Sequence, residues 1–205
     1  MPGVITSEVE REFFVWVNPD NMLVENNLGL VGSFFGGPMN VGDDRPANLQ
    51  FISNPSAGSG FVSPFHNGVV AHYRVEYNLE SHRYDRFRGY PSRLWALYLL
   101  GSRGAAEAYA RNQPMHVRGR ILKRAVTKGR YAYSVHDSAW IDFLRLGHSV
   151  DAETHFRVAE AYWTGDQADR HELISCGKPW KAVTAFEVLF YGSVEFPIRD
   201  LSKSD

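Results

Sequence analysis

The order of strand-like and helix-like segments over residues 68–205 constrains the fold of this chain more than any other feature. Alternating polar and apolar side chains predict a strand over residues 68–78, and a continuous apolar run predicts a buried strand over residues 94–100. With the later segments, the predicted order is strand, strand, helix, strand, strand, helix, helix, strand. Antiparallel pairing with helices to one side of the sheet fits this order, so we predict an α+β fold rather than a doubly wound one.

The later segments follow from their periodicity and from the residues at their ends. Helices are predicted over residues 103–111, with Ser102 as N-cap, over residues 139–146, and over residues 151–163, closed by Gly165. Strands are predicted over residues 116–126 and 130–135, joined by a turn at Lys128 and Gly129, and over residues 181–196 as one strand or a hairpin. We expect these segments to form a core domain of residues 68–205.

Residues 1–67 differ in composition from the rest of the chain. Gly, Pro and Asn concentrate at residues 18–21, 36–38 and 54–60, which predicts turns and loops. Short strand-like runs lie between them at residues 13–17 and 49–52. We interpret residues 1–67 as a loop-rich N-terminal extension that packs on the core.

Composition limits which cellular compartments and which classes of partner we expect for this chain. The formal net charge of -1 argues against a broad electrostatic hold on nucleic acid. The single cysteine, Cys176, cannot form an internal disulfide. The first twelve residues contain three glutamates and no apolar run, so we expect no secretory signal, and no apolar stretch is long enough to predict a membrane span. These features favour a cytoplasmic protein without a metal site and without a membrane partner.

Charged residues within two predicted strands are the candidates for a functional site. Alternation places His72 and Arg74 on one polar face of the strand over residues 68–78. Arginine suits a phosphate clamp because its guanidinium pairs bidentately with phosphate oxygens, although an ion pair with Glu76 would also explain Arg74. Glu187 lies among apolar and aromatic neighbours, where an unpaired charge loses hydration, and Glu195 is a competing acid on the same segment.

Three passages of the sequence resemble the ADP-ribosyltransferase superfamily, over about residues 68–198. The passage from Tyr90 to Ser102, followed by an Ala-rich helix, resembles a recurring strand, turn and helix of that superfamily. The strand with His72 and Arg74 resembles its first core strand, and residues 184–190 resemble its closing strand with the catalytic acid. An uncharacterised bacterial or phage branch is similar in two further pairs, Asp137 with Trp140 and Tyr162 with Trp163.

The resemblance implies a split antiparallel sheet core with a few helices, and NAD as the substrate. It implies that Glu187 is the catalytic acid, that Ser92 orients it, and that Arg74 or His72 grips the ribose or phosphates. Tyr98 would stack on nicotinamide. Two arrangements of these residues remain open, one with Arg, Ser and Glu and one with His, Tyr and Glu.

The resemblance also implies an activity and limits the acceptor. We expect a NAD-dependent mono-ADP-ribosyltransferase, such as a toxin or an effector in phage defence, that modifies a protein or nucleic acid. Relatives that modify arginine have Glu or Gln two residues before the catalytic acid, and this chain has Ala185 there, which disfavours arginine. A basic run over residues 118–130 is compatible with a nucleic-acid acceptor, or with a solvated hairpin. The alternatives are a NAD glycohydrolase or phosphorylase, and a non-catalytic binding protein.

Overall fold

The computed structural model describes residues 3–37, 64–145, 151–175 and 177–197. The strands are β1 (Ile5–Ser7), β2 (Glu12–Val17), β3 (Ser33–Gly36), β4 (Leu97–Leu99), β5 (Ile121–Asp137), β6 (Leu173–Ser175), β7 (Lys178–Trp180) and β8 (Phe186–Glu195). The α-helices are α1 (Met22–Asn26), α2 (Pro64–Arg86), α3 (Arg103–Asn112), α4 (Pro114–Val117), α5 (Ala139–Arg145) and α6 (Ala152–Thr164). A π-helical turn at Asn27–Val31 follows α1, and a 3₁₀ turn at Ala168–Arg170 follows α6. The predicted α+β class is confirmed.

The long strands β5 and β8 pair antiparallel at the centre of a six-stranded sheet. Strands β1 and β2 pair with β5, and strands β3 and β4 pair with β8, all antiparallel. Phe14 of β2 and Leu100, just after β4, exchange backbone hydrogen bonds of 2.9 and 2.7 Å. This bridge closes a ring of pairing from β2 through β5 and β8 to β4. Strands β1, β2 and β3 share the sheet of the later strands, and the division of the chain at residue 67 stays a prediction.

The predicted strand over residues 68–78 is wrong, because these residues belong to helix α2. The buried side chains of α2 include Val75, Leu79 and Arg83, which recur every four residues and are completely buried. That spacing places them on one helical face, which packs against α5 and α6. The alternation of polar and apolar residues over residues 68–78 was the weaker signal, because the four-residue spacing of buried side chains continues beyond residue 78.

The predicted hairpin around Lys128 and Gly129 is also wrong, because residues 121–137 form the single strand β5. Gly129 has a positive φ of 66°, and the pairing of β5 with β8 shifts register between Lys128 and Ala132. A bulge bends the strand without ending it, so its first half pairs with β2 and its second half with β1. The segment before it was misassigned as well, because α4 occupies residues 114–117.

The other predicted helices are confirmed, together with the predicted N-cap Ser102 and the predicted end at Gly165. Ser102 Oγ accepts the N–H of Ala105 at 3.1 Å at the start of α3, and Asp151 Oδ1 accepts the N–H of Thr154 at 2.7 Å at the start of α6. Helix α6 ends at Gly165, which is left-handed with φ 72°. Strand β2 confirms the prediction over residues 13–17, whereas residues 49–52 and Cys176 lie outside the described residues.

The core has two parts because apolar side chains cover both faces of the central strands. On β8, Leu189 faces a cluster formed with α2, α5 and α6, whereas Val188 and Phe190 belong to a second cluster with β2 and β5. Large aromatic side chains dominate the first cluster, including Trp140 and Trp163. Within the described ranges, no helix is both long and apolar enough to cross a membrane.

Close backbone packing at Gly36 of β3 leads to a first prediction. A Cβ atom at this position would lie 2.6 Å from the backbone N of Leu97 and 2.7 Å from the carbonyl O of Phe190. Since backbone atoms cannot move aside cheaply, we expect Gly36→Ala to lower the free energy of unfolding by about 1–3 kcal/mol. The matched control is Gly104→Ala in α3, where the nearest atom would lie at 3.9 Å and alanine favours the helix. Urea denaturation of both variants checks the prediction, and equal effects would contradict it.

Candidate functional site

A cleft of about 310 Å³ lies between β4 and the start of β8 on one side and helices α3, α4 and α5 on the other. Its polar lining consists of Glu76, Arg93, Tyr98, Tyr109, Gln113, His116, Arg120, Ser138, Asp142, Arg145 and Glu187. Its apolar lining consists of Val15, Trp16, Leu99, Leu100 and Ile141. Acidic, basic and aromatic side chains therefore face one space.

Glu187 enters the cleft from the second position of β8, where it pairs in register with His136 of β5. Its side chain is only 14% exposed. Its Oε1 atom accepts the hydroxyl hydrogen of Tyr162 at 2.7 Å and a hydrogen bond from Nη1 of Arg93. Two neighbouring groups therefore hold this carboxylate in one orientation at the wall of the cleft.

Arg93 connects Glu187 to a second carboxylate. The guanidinium of Arg93 donates from Nε to Glu76 Oε2 at 2.7 Å and from Nη2 to Glu76 Oε1 at 3.1 Å, a bidentate ion pair. It also donates to the hydroxyl of Tyr162. Burial disfavours the charged guanidinium, but the neighbouring Glu187 carboxylate, Tyr162, Tyr98 and Glu76 outweigh burial and raise the pKa of Arg93 well above its usual value.

Glu76 projects from α2 and is shared by two arginines. Arg145 of α5 donates from Nη2 to Glu76 Oε1 at 3.0 Å, the same oxygen that accepts from Nη2 of Arg93. Burial by itself would raise the pKa of the Glu76 carboxyl. The charges and hydrogen bonds of Arg93 and Arg145 lower this pKa by more, so it lies below its usual value. Two carboxylates and two guanidiniums therefore form one paired network, which is how buried charges become tolerable.

Tyr98 lies on β4, on the same side of the cleft as the start of β8. Its hydroxyl donates to the backbone carbonyl of Arg93 at 2.5 Å, and the Arg93 guanidinium carbon lies 5.1 Å from the ring centroid. Burial of its hydroxyl is the main reason why the pKa of Tyr98 is raised. The residue as a whole is 42% exposed, which leaves part of the ring accessible from the cleft. Of the residues singled out by sequence, Tyr98 and Glu187 line the same cleft.

The other three predicted residues do not line this cleft. Ser92 is completely buried, and its hydroxyl accepts the N–H of Leu94 at 3.2 Å. Arg74 is buried and donates to the carbonyl of Leu144 at 3.4 Å, and His72 is exposed on α2. The expectation that His72 and Arg74 share a face is wrong, because residues two apart on a helix point about 200° apart. Arg74 could bind phosphate in this cleft only if its side chain lined the cleft, and it does not.

The sequence patterns did not point to Arg93, Tyr162 or Glu76 as members of the site. Arg93 and Tyr162 stand within passages that resemble the superfamily, but no role was attached to them. One signal was available for Arg93, which is a charged residue directly before the segment predicted to be a buried strand. A charge at such a position needs a partner of opposite sign. The partners, Glu76 and Glu187, lie 17 and 94 residues away in the chain, so the sequence did not identify them.

The residues behind this network are arranged as structural supports. Asp137 is completely buried, and its carboxylate accepts backbone N–H groups of Ala139, Ala168 and Ala185 at 2.9–3.1 Å. It thereby joins the start of α5 to the segment that leads into β8. Trp140 donates to the carbonyl of Asp166 at 2.8 Å. The pair formed by Asp137 and Trp140 therefore anchors the helix that carries one wall of the cleft.

Two buried histidines lead to a second prediction, on acid stability. Burial is the main cause that lowers the pKa of both His136 and His155 to about 4. The unfolded chain, with a histidine pKa near 6.5, binds more protons than the folded chain between pH 6.5 and 4. The free energy of unfolding should therefore decrease as the pH falls through this range, by up to about 1.4 kcal/mol per pH unit for each histidine.

Urea denaturation at about pH 7 and about pH 5.5 measures this effect. His155→Gln, which removes one of the two groups, should reduce the difference between the two free energies of unfolding. Equal free energies of unfolding at both pH values in the unaltered protein would contradict the prediction.

Comparison with protein families and with curated proteins identified no relative of this chain. No protein-family model matches the chain, and no curated protein matches it. Among the residues that the structure describes, no three His, Cys, Asp or Glu side chains are grouped to hold a metal ion.

Proposed function

We propose that this chain is a NAD-dependent mono-ADP-ribosyltransferase and that its reaction takes place in the cleft beside Glu187. The observation that carries the proposal is the orientation of the Glu187 carboxylate, which Tyr162 and Arg93 hold at the wall of a cleft that also contains Tyr98. Glu187 is the residue that the resemblance identifies with the catalytic acid. Its position in a cleft, rather than on the outer surface of an edge strand, supports that role.

The chemistry explains why a carboxylate is needed there. When the bond between nicotinamide and ribose breaks, positive charge develops on the ribose, and a fixed carboxylate stabilises that charge. Tyr162 and Arg93 both donate to Oε1 of Glu187, which leaves Oε2 for a ribose hydroxyl. Because the two donors already orient the carboxylate, little reorganisation is needed during the reaction.

The rest of the cleft suits the nicotinamide end of NAD. The partly exposed ring of Tyr98 can stack on a flat heterocycle. Arg120 and Arg145 also line the cleft and can balance the negative charge of a dinucleotide. The cleft volume of about 310 Å³ lies at the lower end of the range typical of ligand pockets, which corresponds to part of the dinucleotide.

Incubation of the purified chain with NAD labelled on its adenylate half tests the proposal. A cell extract supplies protein and nucleic acid as acceptors, and the protein acceptors are expected to be modified at residues other than arginine. Label on a macromolecule supports the proposal. Label only in free ADP-ribose or its phosphate would instead indicate a glycohydrolase or phosphorylase, and unchanged NAD would overturn the proposed function. We expect the reaction in the cytoplasm, which is the compartment that the sequence favours.

A further inference from the structure

A second carboxylate, Asp142, faces the cleft from helix α5. Ile141, Asp142 and Arg145 all line the cleft, at spacings that place them on one side of the helix. Arg145 forms its ion pair with Glu76, at 3.0 Å. Among the described residues, no ion pair joins Asp142 to a cation.

Asp142 is held by a neutral group. Gln113, at the end of α3, donates from Nε2 to Asp142 Oδ2 at 3.2 Å. Beside it, the hydroxyl of Tyr109 and Nδ1 of His116 lie 3.0 Å apart in a hydrogen bond, and both residues line the cleft. Asp142 therefore faces the open space of the cleft with one fixed neutral donor, whereas Glu187 has a charged donor and a phenol.

The surroundings of Asp142 favour protonation of its carboxylate more than water favours protonation of an exposed aspartate. Burial raises the pKa of Asp142, and Arg145 and His116 lower it only in part, while the buried Asp137 raises it again. The other titratable and charged groups that line the cleft are Tyr109 on α3, Glu76 on α2, Glu187 on β8, Tyr98 on β4, Arg93 and Arg120. A carboxylate that faces the cleft and whose one donor is neutral is suited to accept a proton.

We propose that Asp142 is the general base of the reaction, and that it takes the proton of an O–H acceptor, either an alcohol or water. This inference rests on the proposed function. As the acceptor oxygen forms its bond to the ribose carbon, the bond from that carbon to nicotinamide breaks, and its electron pair leaves with neutral nicotinamide. The acceptor proton passes to Asp142 and then to water. A hydroxyl oxygen needs this help because it is a weak nucleophile until its proton leaves.

The test uses the purified full chain, NAD and a small alcohol, with Asp142→Asn as the variant. Wild type with methanol should form both ADP-ribose and its methyl glycoside. Asp142→Asn, which preserves the shape of the side chain and an acceptor for Gln113, should lower the formation of both products by about 10²-fold or more. The rate of wild type should fall as the pH decreases through the pKa of Asp142.

Azide separates a base from a merely structural residue. The azide anion has no proton to lose, so it should restore NAD consumption in Asp142→Asn, give ADP-ribosyl azide, and abolish the acidic limb of the pH profile. It should not restore Glu187→Gln, because the positive charge on the ribose is still unopposed there. A melting temperature of Asp142→Asn close to that of wild type is the control for folding.

The possible failures are distinguishable. If wild type consumes NAD and Asp142→Asn has the same rate, or is slower but not restored by azide, then Asp142 is not the base. If wild type consumes NAD without forming ADP-ribose or the methyl glycoside, the O–H acceptor is wrong. If wild type does not consume NAD at all, the proposed function fails, and this inference fails with it.

Discussion

Glu187→Gln is expected to lower the turnover of NAD by about 10²-fold or more, which is the scale for loss of one electrostatic stabiliser of a transition state. Glutamine keeps the size of the side chain and an oxygen that can accept from Tyr162. It lacks the negative charge that opposes the positive charge on the ribose. NAD affinity and the melting temperature should change much less than turnover, because shape and most hydrogen bonds are retained.

The matched control is Glu195→Gln on the same strand. Glu195 is exposed, and its carboxylate pairs with Lys128, away from the cleft. Exposed ion pairs contribute little, so this variant should retain wild-type turnover and stability. Release of nicotinamide under saturating NAD measures both variants. Unchanged turnover in Glu187→Gln would remove Glu187 from the chemistry, and loss of turnover in Glu195→Gln would identify it as the competing acid.

Arg93→Ala is expected to lower the free energy of unfolding by about 3–5 kcal/mol. The guanidinium of Arg93 is buried and separates the carboxylates of Glu76 and Glu187. Its removal leaves Glu187 without its ion-pair partner in the cleft, and Glu76 with only Arg145. The cost of the variant is mainly the cost of these incompletely compensated charges, rather than the net contribution of the ion pairs.

Two further variants check this explanation. Arg103→Ala breaks an exposed ion pair with Glu107 on α3 and should cost less than about 1 kcal/mol. Adding Glu76→Gln to Arg93→Ala should recover part of the lost stability, because one of the unpaired charges is then removed. Urea denaturation measures the three proteins. An Arg93→Ala protein within about 1 kcal/mol of wild type would show that water compensates the carboxylates, and would contradict the buried network.

Local sequence signals predicted the elements whose ends depend on adjacent residues. Helices α3 and α6 were predicted together with the N-cap Ser102 and the terminating Gly165, because these residues act on backbone groups within a few residues. The segments that form helix α2 and strand β5 were predicted incorrectly. Their local sequences are also compatible with other elements, a strand in the case of α2 and a hairpin in the case of β5. Gly129 permits either a hairpin turn or a bulge, and pairing with β8 selects the bulge.

The candidate site divides in the same way. Sequence passages predicted Glu187 and Tyr98, which line one cleft in the structure. They did not predict that Arg93 and Tyr162 hold Glu187, and they wrongly joined His72 and Arg74 to the same face. The first error reflects contacts between residues distant in the chain, and the second reflects the wrong periodicity for one segment.

The sequence by itself determined the α+β class and the positions of the capped helices, which depend on periodicity and on caps, both of them local properties. Its resemblance to a superfamily pointed to Glu187 and Tyr98, which line one cleft. Only the tertiary structure decided which charges neutralise one another, since Glu76, Arg93, Tyr162 and Glu187 come from four separate segments. A buried charge is stable only beside its partner, and the partner is determined by how the helices pack on the sheet.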